Sequence, residues 1–268
     1  MIKPIEKNFQ LATAAAVLAS EKIIEFYQKG FEKQIKNDGS PLTEADLASS
    51  SIIAEQLKDT NIPIIGEELE KAPYSVRKEW KRCWCVDPLD GTKEFIKKNG
   101  EFVVNIALIE HGKPVFGIVA SPISKKMILG GKALGTAYLI DFKNINNTDR
   151  WKKIPQLNKK NSPLVVISSR SHYSGDLLVL IKQLEEKYGK TAAAQMGSAL
   201  KFFDLSLGKA DVYPRLAPTM EWDTAAGQAI YEVIGGEVLD YKTQKPLTYN
   251  KENLLNPFFI AKKRMIYL

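Results

Sequence analysis

Trp84-Cys85-Val86-Asp87-Pro88-Leu89-Asp90-Gly91-Thr92-Lys93-Glu94-Phe95 is the stretch on which the reading of the chain turns. The apolar run Cys83 to Val86 ends in Asp87. Pro88 lacks an amide hydrogen and has a fixed φ, so it forbids a regular central strand or immediate entry into a helix. Asp87 is therefore expected at a strand end. Three residues on comes Asp90, then Gly91, which allows a tight backbone path, then Thr92, opening a helical turn with free amide groups. Two carboxylates thus converge beside a small anion pocket, the donor set that a hard divalent cation and a phosphate group both want. The competing account is structural: a strand-turn-helix corner in which Asp87 caps the helix and Asp90 is solvated. These residues alone leave both accounts standing.

The rest of the chain sets limits on that choice. With 268 residues, 44% of them hydrophobic and 26% charged, it has ordinary globular composition and length for a large core. No apolar run approaches the roughly 20 residues needed to span a bilayer, and the first residues lack the apolar core of a secretory signal. The expected location is the cytoplasm, with a peripheral place on the cytoplasmic face of the inner membrane left open. The two cysteines, Cys83 and Cys85, fall on one face of one predicted strand. They are too few for a disulfide framework or a structural zinc site, and read as small buried hydrophobes. The 38 Lys and Arg against 31 Asp and Glu give a formal charge of +7, which favours anionic ligands. The charges are interspersed, without the long basic stripe and interleaved aromatics of a nucleic-acid track.

Upstream, apolar residues at Phe9, Ala12, Ala16, Ala19, Ile23 and Phe26 step by three and four, one face of a long helix closed by Gly30. After the breaker Gly39-Ser40-Pro41, Thr43 and Asp46 stand as N-cap and acidic partner of a second helix. Taken alone, Asp46 is a capping-box variant. Ile62 to Ile65 forms a short strand that leads into Gly66-Glu67-Glu68, which puts Glu67 at a strand end too. Downstream, Phe102 to Ile109, the turn at His111-Gly112-Lys113 and Pro114 to Ala120 form a hairpin, with further strands at Met127 to Leu129 and Gly135 to Ile140. This half is expected to be an antiparallel sheet with two helices. Residues 141–162 turn polar, with five Asn, and suggest a division into lobes at 1–160 and 161–268. In the second part, strands at Leu164 to Ile167, Thr191 to Ala194 and Asp211 to Tyr213 alternate with helices at about 174–188, Ser198 to Leu207 and Trp222 to Val233. Two more strands, around Val238 and Phe259, complete an α/β lobe with some antiparallel pairing.

Three spaced motifs, Gly-Glu-Glu at 66–68, Asp-Pro-Leu-Asp-Gly-Thr at 87–92 and Glu-Trp-Asp-Thr-Ala-Ala-Gly at 221–227, resemble the inositol monophosphatase superfamily of magnesium-dependent, lithium-sensitive phosphatases. The longer run to Ile96, Gly-Glu-Phe-Val-Val-Asn-Ile-Ala-Leu-Ile at 100–109, Ser-Ser-Arg-Ser-His at 168–172 and Gly-Ser-Ala-Leu-Lys-Phe at 197–202 look like its 3'(2'),5'-bisphosphate nucleotidases. The resemblance spans residues 40 to 235. It implies a layered αβαβα sandwich with the metals between the lobes.

Carried over, it implies two or three Mg²⁺ ions. One would be held by Glu67, Asp87 and the carbonyl of Leu89, another by Asp87, Asp90 and Asp223. Gly91 and Thr92 would give amide hydrogens to the phosphate, and Asp46 with the Thr92 hydroxyl would receive a proton from the attacking water. The substrate contacts would include Glu67, Leu89, Asp90 and Asp223 as well. In the second lobe, His172, Ser198, Lys201 and Arg215 stand where the nucleotidases bind nucleotide. Three of these also have an ordinary account: Lys201 as an exposed helix lysine, His172 as a loop residue bonded to backbone, Arg215 as a surface ion pair. The expected activity is hydrolysis of adenosine 3',5'-bisphosphate to AMP and phosphate, with an inositol- or sugar-phosphate phosphatase as the alternative. The expected partner is a small-molecule substrate, with no nucleic acid, and the chain is expected to be a monomer or homodimer.

Overall fold

Residues 6–36, 39–168, 175–198 and 200–267 are described by the structure, a computed structural model. Helix α1 (Lys7–Lys29) is followed by a short hairpin, β1 (Lys33–Ile35) and β2 (Pro41–Thr43), and by α2 (Glu44–Lys58). Then come β3 (Ile64–Gly66), the one-turn helix α3 (Tyr74–Arg77), β4 (Arg82–Asp90), α4 (Thr92–Ile96), β5 (Val103–Glu110), β6 (Lys113–Ser121), β7 (Lys126–Gly131), β8 (Thr136–Asp141) and β9 (Lys152–Lys153). The second half runs β10 (Leu164–Ser168), α5 (Gly175–Tyr188), β11 (Thr191–Gln195), α6 (Leu200–Ser206), β12 (Val212–Arg215), α7 (Glu221–Val233), β13 (Gly236–Asp240) and β14 (Phe259–Lys263).

The strands form a seven-stranded sheet in the order β3-β4-β5-β6-β7-β8-β9 and a five-stranded sheet in the order β11-β10-β12-β14-β13, beside the β1-β2 hairpin. The first sheet is antiparallel except for β3, which lies parallel to β4. In the second, β10 pairs in parallel with β11 and β12, while β14 is antiparallel to β12 and β13.

Side-chain alternation along β4 and β5 decides the layering, because successive residues of a strand face opposite sides of its sheet. Trp84, Val86, Val104, Ile106 and Leu108 pack into one core with Phe9, Ala16 and Ile23 of α1 and Ile53 of α2. Cys83, Cys85, Val103, Ala107 and Ile109 pack on the other side with Phe202 of α6 and with Ala225, Ala226 and Ile230 of α7. That second core continues into Ile167, Tyr213, Phe259 and Ala261 of the second sheet, whose far face takes Leu180 and Leu184 of α5 against Val166 and Val212. The order is therefore α1/α2, sheet, α6/α7, sheet, α5, the five-layer αβαβα sandwich. Helix α7 can lie so close to β6 because Gly117 has no side chain: a Cβ there would stand 2.3 Å from the carbonyl oxygen of Ala226.

Two expectations need correction. The strand does not stop at Asp87: β4 continues to Asp90, with a register shift that sets Asp87 opposite Asn105 and Asp90 opposite Val103. Pro88 and Leu89 face only Val104 across that gap. The bulge leaves Pro88 outside the ladder, where its missing N–H costs nothing. The first sheet is also not served by two helices alone, since helices from the second half cover its other face. The β1-β2 hairpin and α3 lack any apolar periodicity and were not anticipated.

Candidate active site

Three separate pieces of backbone bring the acidic residues near enough for their charges to act on one another. Glu67 follows β3, and its N–H donates to Val86 O at 3.1 Å, which seats it beside Asp87. At the bulge, the Asp87 carboxylate turns back to accept the Leu89 N–H at 3.0 Å. Helix α2 is tied to the same bulge by the Ser49 hydroxyl, which donates to Pro88 O at 2.6 Å. Ser49 lies three residues after Asp46, on the same face of α2. Asp223 enters from the second half on the first turn of α7, accepting the Met220 N–H at 2.9 Å. Asp87 is buried, whereas Glu67, Asp90 and Asp223 are half-buried.

Burial first, then the negative charges of Glu67, Asp90 and Asp223, hold the Asp87 carboxyl well above the ordinary aspartate range. Burial, then Asp90, push Asp223 up to about 8. Glu67 is raised by burial, which outweighs the lowering influence of Lys36, and by Glu68 and Asp90. A carboxylate cluster in which Glu67, Asp87 and Asp223 are each raised is a site in want of positive charge. Part of that charge comes from Lys36, just beyond β1, whose amine stands 2.8 Å from Glu67 Oε1 and 2.5 Å from Glu68 Oε1. Burial works against the charged amine, but the two glutamates prevail and keep it above the ordinary lysine range. Among the described residues, no three acidic, histidine or cysteine side chains already close around a single point at metal-ligand spacing. The oxygen-only donor set nevertheless suits a hard divalent cation.

A stability prediction follows from these shifts. A carboxylate whose folded pKa is raised stabilises the protein below its unfolded pKa, and that contribution is lost as pH rises through the folded value. With chelator present, the melting temperature should therefore fall between about pH 5 and pH 8, the upper limit being set by Asp223. Adding Mg²⁺ should raise it more at pH 8 than at pH 5.5, and Asp223→Asn should flatten the dependence. A chelated melting temperature that is flat or rises across this window would refute the account.

Asp46 and Thr92 are joined as expected, but Asp46 also caps its helix. Its Oδ2 accepts the Thr43 N–H at 2.8 Å and the Thr43 hydroxyl at 2.5 Å, while Oδ1 accepts the Thr92 hydroxyl at 2.9 Å. The two oxygens divide the two roles. Burial raises the Asp46 pKa, opposed by the hydrogen bonds from Thr43 and Thr92. The Leu89 carbonyl lies 3.3 Å from the Thr92 hydroxyl. Gly91, at φ 98°, makes the turn between them, and a Cβ on it would stand 2.8 Å from Glu101 O. The neighbouring thiols play no part here: burial pushes Cys83 up to about 12 and Cys85 well above its usual range.

The second-half residues divide. Ser198, at φ 54°, donates its hydroxyl to Asp90 O at 2.9 Å, and Gly197 N–H is held by Glu101 Oε2 at 2.8 Å. This turn is thereby stitched to the end of β4 and to the segment that leads into β5. Lys201 is not an exposed helix lysine: it is 3% exposed, with its amine on Ser198 O at 2.6 Å and Met196 O at 3.3 Å. Burial pushes it down to about 8, against the pull of Asp90. These two bonds brace the turn. Arg215 donates to Pro218 O at 3.2 Å, and its buried Nε has no partner among the described residues. His172 lies outside the described residues. Lys36, Glu68 and Asn105, whose amide approaches Asp90 Oδ2 at 3.4 Å, were not singled out: Glu68 and Asn105 lie within motifs that carried the resemblance, whereas no pattern in its flanking sequence marks Lys36.

A mixed five-layer sandwich with a carboxylate cluster between its sheets defines a class, and the comparisons agree with it. The chain belongs to the inositol monophosphatase family, whose profile matches residues 5–266. Within it, the 3'(2'),5'-bisphosphate nucleotidase CysQ of Salmonella typhimurium is 43% identical over 246 residues, covering 90% of this chain and 94% of that one. The crystal structure of CysQ from Bacteroides thetaiotaomicron, described as a bacterial member of the same family, superposes with a TM-score of 0.84 at 38% identity, over 98% of this chain and 99% of that one. The suhB protein of Bartonella henselae shares the fold, with a TM-score of 0.74 at 22% identity over 95% and 93% of the two chains. No helix among the described residues is long and apolar enough to cross a membrane.

Proposed function

We propose that the protein is a 3'(2'),5'-bisphosphate nucleotidase that hydrolyses adenosine 3',5'-bisphosphate to AMP and inorganic phosphate in the cytoplasm, clearing the by-product of sulfate activation. The observation that carries the reaction class is the gathering of Glu67, Asp87, Asp90 and Asp223, in which burial and neighbouring negative charge raise Glu67, Asp87 and Asp223, next to the Asp46–Thr92 pair. The nucleotide is favoured over inositol phosphates by the named nucleotidase at 43% identity and by the match over nearly the whole of a CysQ structure.

Glu67, Asp87, Asp90, Asp223 and the Leu89 carbonyl would hold two or three Mg²⁺ ions, with Asp87 as the bridge. Bound there, the cations offset phosphate charge and make water more acidic. The chain's own contribution is to hold these groups on rigid strand and helix ends, and to accept a proton at Asp46 through the Thr92 hydroxyl as water adds to phosphorus and the bond to the ribose oxygen breaks. Gly91 and Thr92 would donate amide hydrogens to the phosphate. Ser198, Lys201, Arg215 and His172 would shape the nucleotide side, Lys201 by bracing the Met196–Ser198 turn.

Phosphate release by purified protein in Mg²⁺ tests this directly. Adenosine 3',5'-bisphosphate should be hydrolysed with a much higher kcat/KM than inositol 1-phosphate, and millimolar lithium should inhibit. Equal or better turnover of inositol 1-phosphate would sink the nucleotide assignment while leaving the phosphatase reading intact.

A further inference from the structure

The Glu-Trp-Asp motif contributes Asp223 to the acidic cluster, yet its first residue, Glu221, points away from it and is completely buried. Glu221 Oε2 accepts the Asn250 N–H at 2.6 Å, and Oε1 accepts the Lys251 N–H at 3.0 Å and the Lys251 ammonium. Asn250, at φ 59°, then engages α3: its Oδ1 accepts from Arg77 Nη1 at 2.8 Å, and its Nδ2 donates to Arg77 O at 2.7 Å. The guanidinium of Arg77 is itself buried, at 4% exposure, and also donates to Ala72 O at 2.9 Å, Lys251 O at 3.1 Å and Glu252 O at 3.3 Å.

A continuous set of hydrogen bonds thus runs from the segment linking Glu67 to β4, through residues 250–252, to the first residue of α7. Its two ends lie on the two backbone pieces that must agree for the acidic cluster to form. Asp223, two residues beyond Glu221, is the one carboxylate of the four that comes from the second half of the chain. Buried charges are poor sources of net stability, because desolvation consumes most of their attraction, but they do hold backbone in one arrangement. Groups that orient metal ligands from behind typically change metal affinity 10- to 100-fold when removed.

We propose that Arg77, Asn250 and Glu221 are positioning residues that set the first turn of α7, and with it Asp223, in register with Glu67, Asp87 and Asp90. The proposal rests on the reading of Asp223 as a metal ligand. Coulomb's law alone makes the opposite prediction for one variant: removing the positive Arg77 would leave cation binding unchanged or tighten it. Loss of positioning weakens it.

The test is calorimetric titration of the purified full chain with Mg²⁺ and, separately, Mn²⁺, without substrate. Arg77→Met and Asn250→Ala should each bind the cation roughly 10-fold or more weakly than wild type. Lys262→Met breaks a different partly buried ion pair, that with Glu237 at 2.7 Å. It should lower the melting temperature while keeping wild-type cation affinity. Affinities within twofold of wild type in the folded variants would overturn the proposal, as would an equal loss in Lys262→Met, which would mark the effect as general destabilisation. If Arg77→Met does not fold, the uncharged exchange Asn250→Ala decides by the same criterion. A wild-type chain that binds neither cation would overturn the metal reading itself and the proposal with it.

Discussion

Asp87→Asn is expected to yield a folded protein whose turnover of adenosine bisphosphate in saturating Mg²⁺ has fallen by at least 10² to 10³, the usual cost of removing one preorganised electrostatic group. Asp87 is the carboxylate that the other three all press upon, and as the bridge it would face both cations at once. Phosphate monoesters are among the slowest of all substrates to react unaided, with enzymatic accelerations up to about 10²¹-fold, so no single remaining carboxylate can make up the loss. The fold should tolerate the exchange, because an asparagine Oδ1 can still accept the Leu89 N–H that Asp87 accepts at 3.0 Å. Asparagine also removes a buried, mutually repelled acid. In chelator at pH 8 the variant should therefore melt no lower than wild type, although Mg²⁺ should no longer raise its melting temperature as far. Retention of more than about a tenth of wild-type activity would exclude the bridging role, since that loss is well below the range for such a group.

What could be read from the sequence was whatever obeys a local period. The alternation Cys83, Trp84, Cys85, Val86 is enough to infer a strand buried on both faces, and the three-four spacing from Phe9 to Phe26 enough for the helix over it. The grouping of Glu67, Asp87, Asp90 and Asp223 was suggested for a different reason: Glu67, Asp90 and Asp223 sit where a strand or helix begins or ends, Asp87 sits at the bulge of β4, and the family resemblance joined the pieces. Pro88 misled because its lack of an N–H argues against a strand only if the position lies in the ladder. The bulge removes it from the ladder, and a bulge depends on how β5 pairs rather than on anything near Pro88. Lys36 was invisible for a similar reason, since nothing in its polar surroundings indicates that its amine reaches residues thirty positions later. Lys201 shows how little residue type says about burial: its ordinary account was an exposed helix lysine, yet the side chain is buried and its amine bonds the carbonyls of Met196 and Ser198.

Asp46→Asn should reduce turnover by roughly 10² or more with little change in stability or Mg²⁺ affinity, the range for loss of a general base. The geometry explains why these effects separate. If the asparagine keeps its carbonyl oxygen toward Thr43, it still accepts the capping N–H that Asp46 accepts at 2.8 Å, and asparagine is as good a cap as aspartate. Its amide NH₂ then faces Thr92, where Asp46 Oδ1 now accepts the hydroxyl at 2.9 Å. The hydroxyl becomes an acceptor, the bond reverses, and no group remains to take the proton. The buried carboxylate, its pKa raised by burial, is the stronger base of the two possible occupants. Thr92→Ala should lower the rate to a similar degree by cutting the path at its other end, whereas Thr92→Ser keeps the hydroxyl and should retain most of the activity. Because Asp46 and Thr92 act in series, the double variant Asp46→Asn/Thr92→Ala should be scarcely slower than either single one. Steady-state rates for the four variants in saturating Mg²⁺, with melting temperatures measured alongside, settle the matter. Near-wild-type turnover in Asp46→Asn, or losses that multiply in the double variant, would leave Asp46 with its helix cap alone.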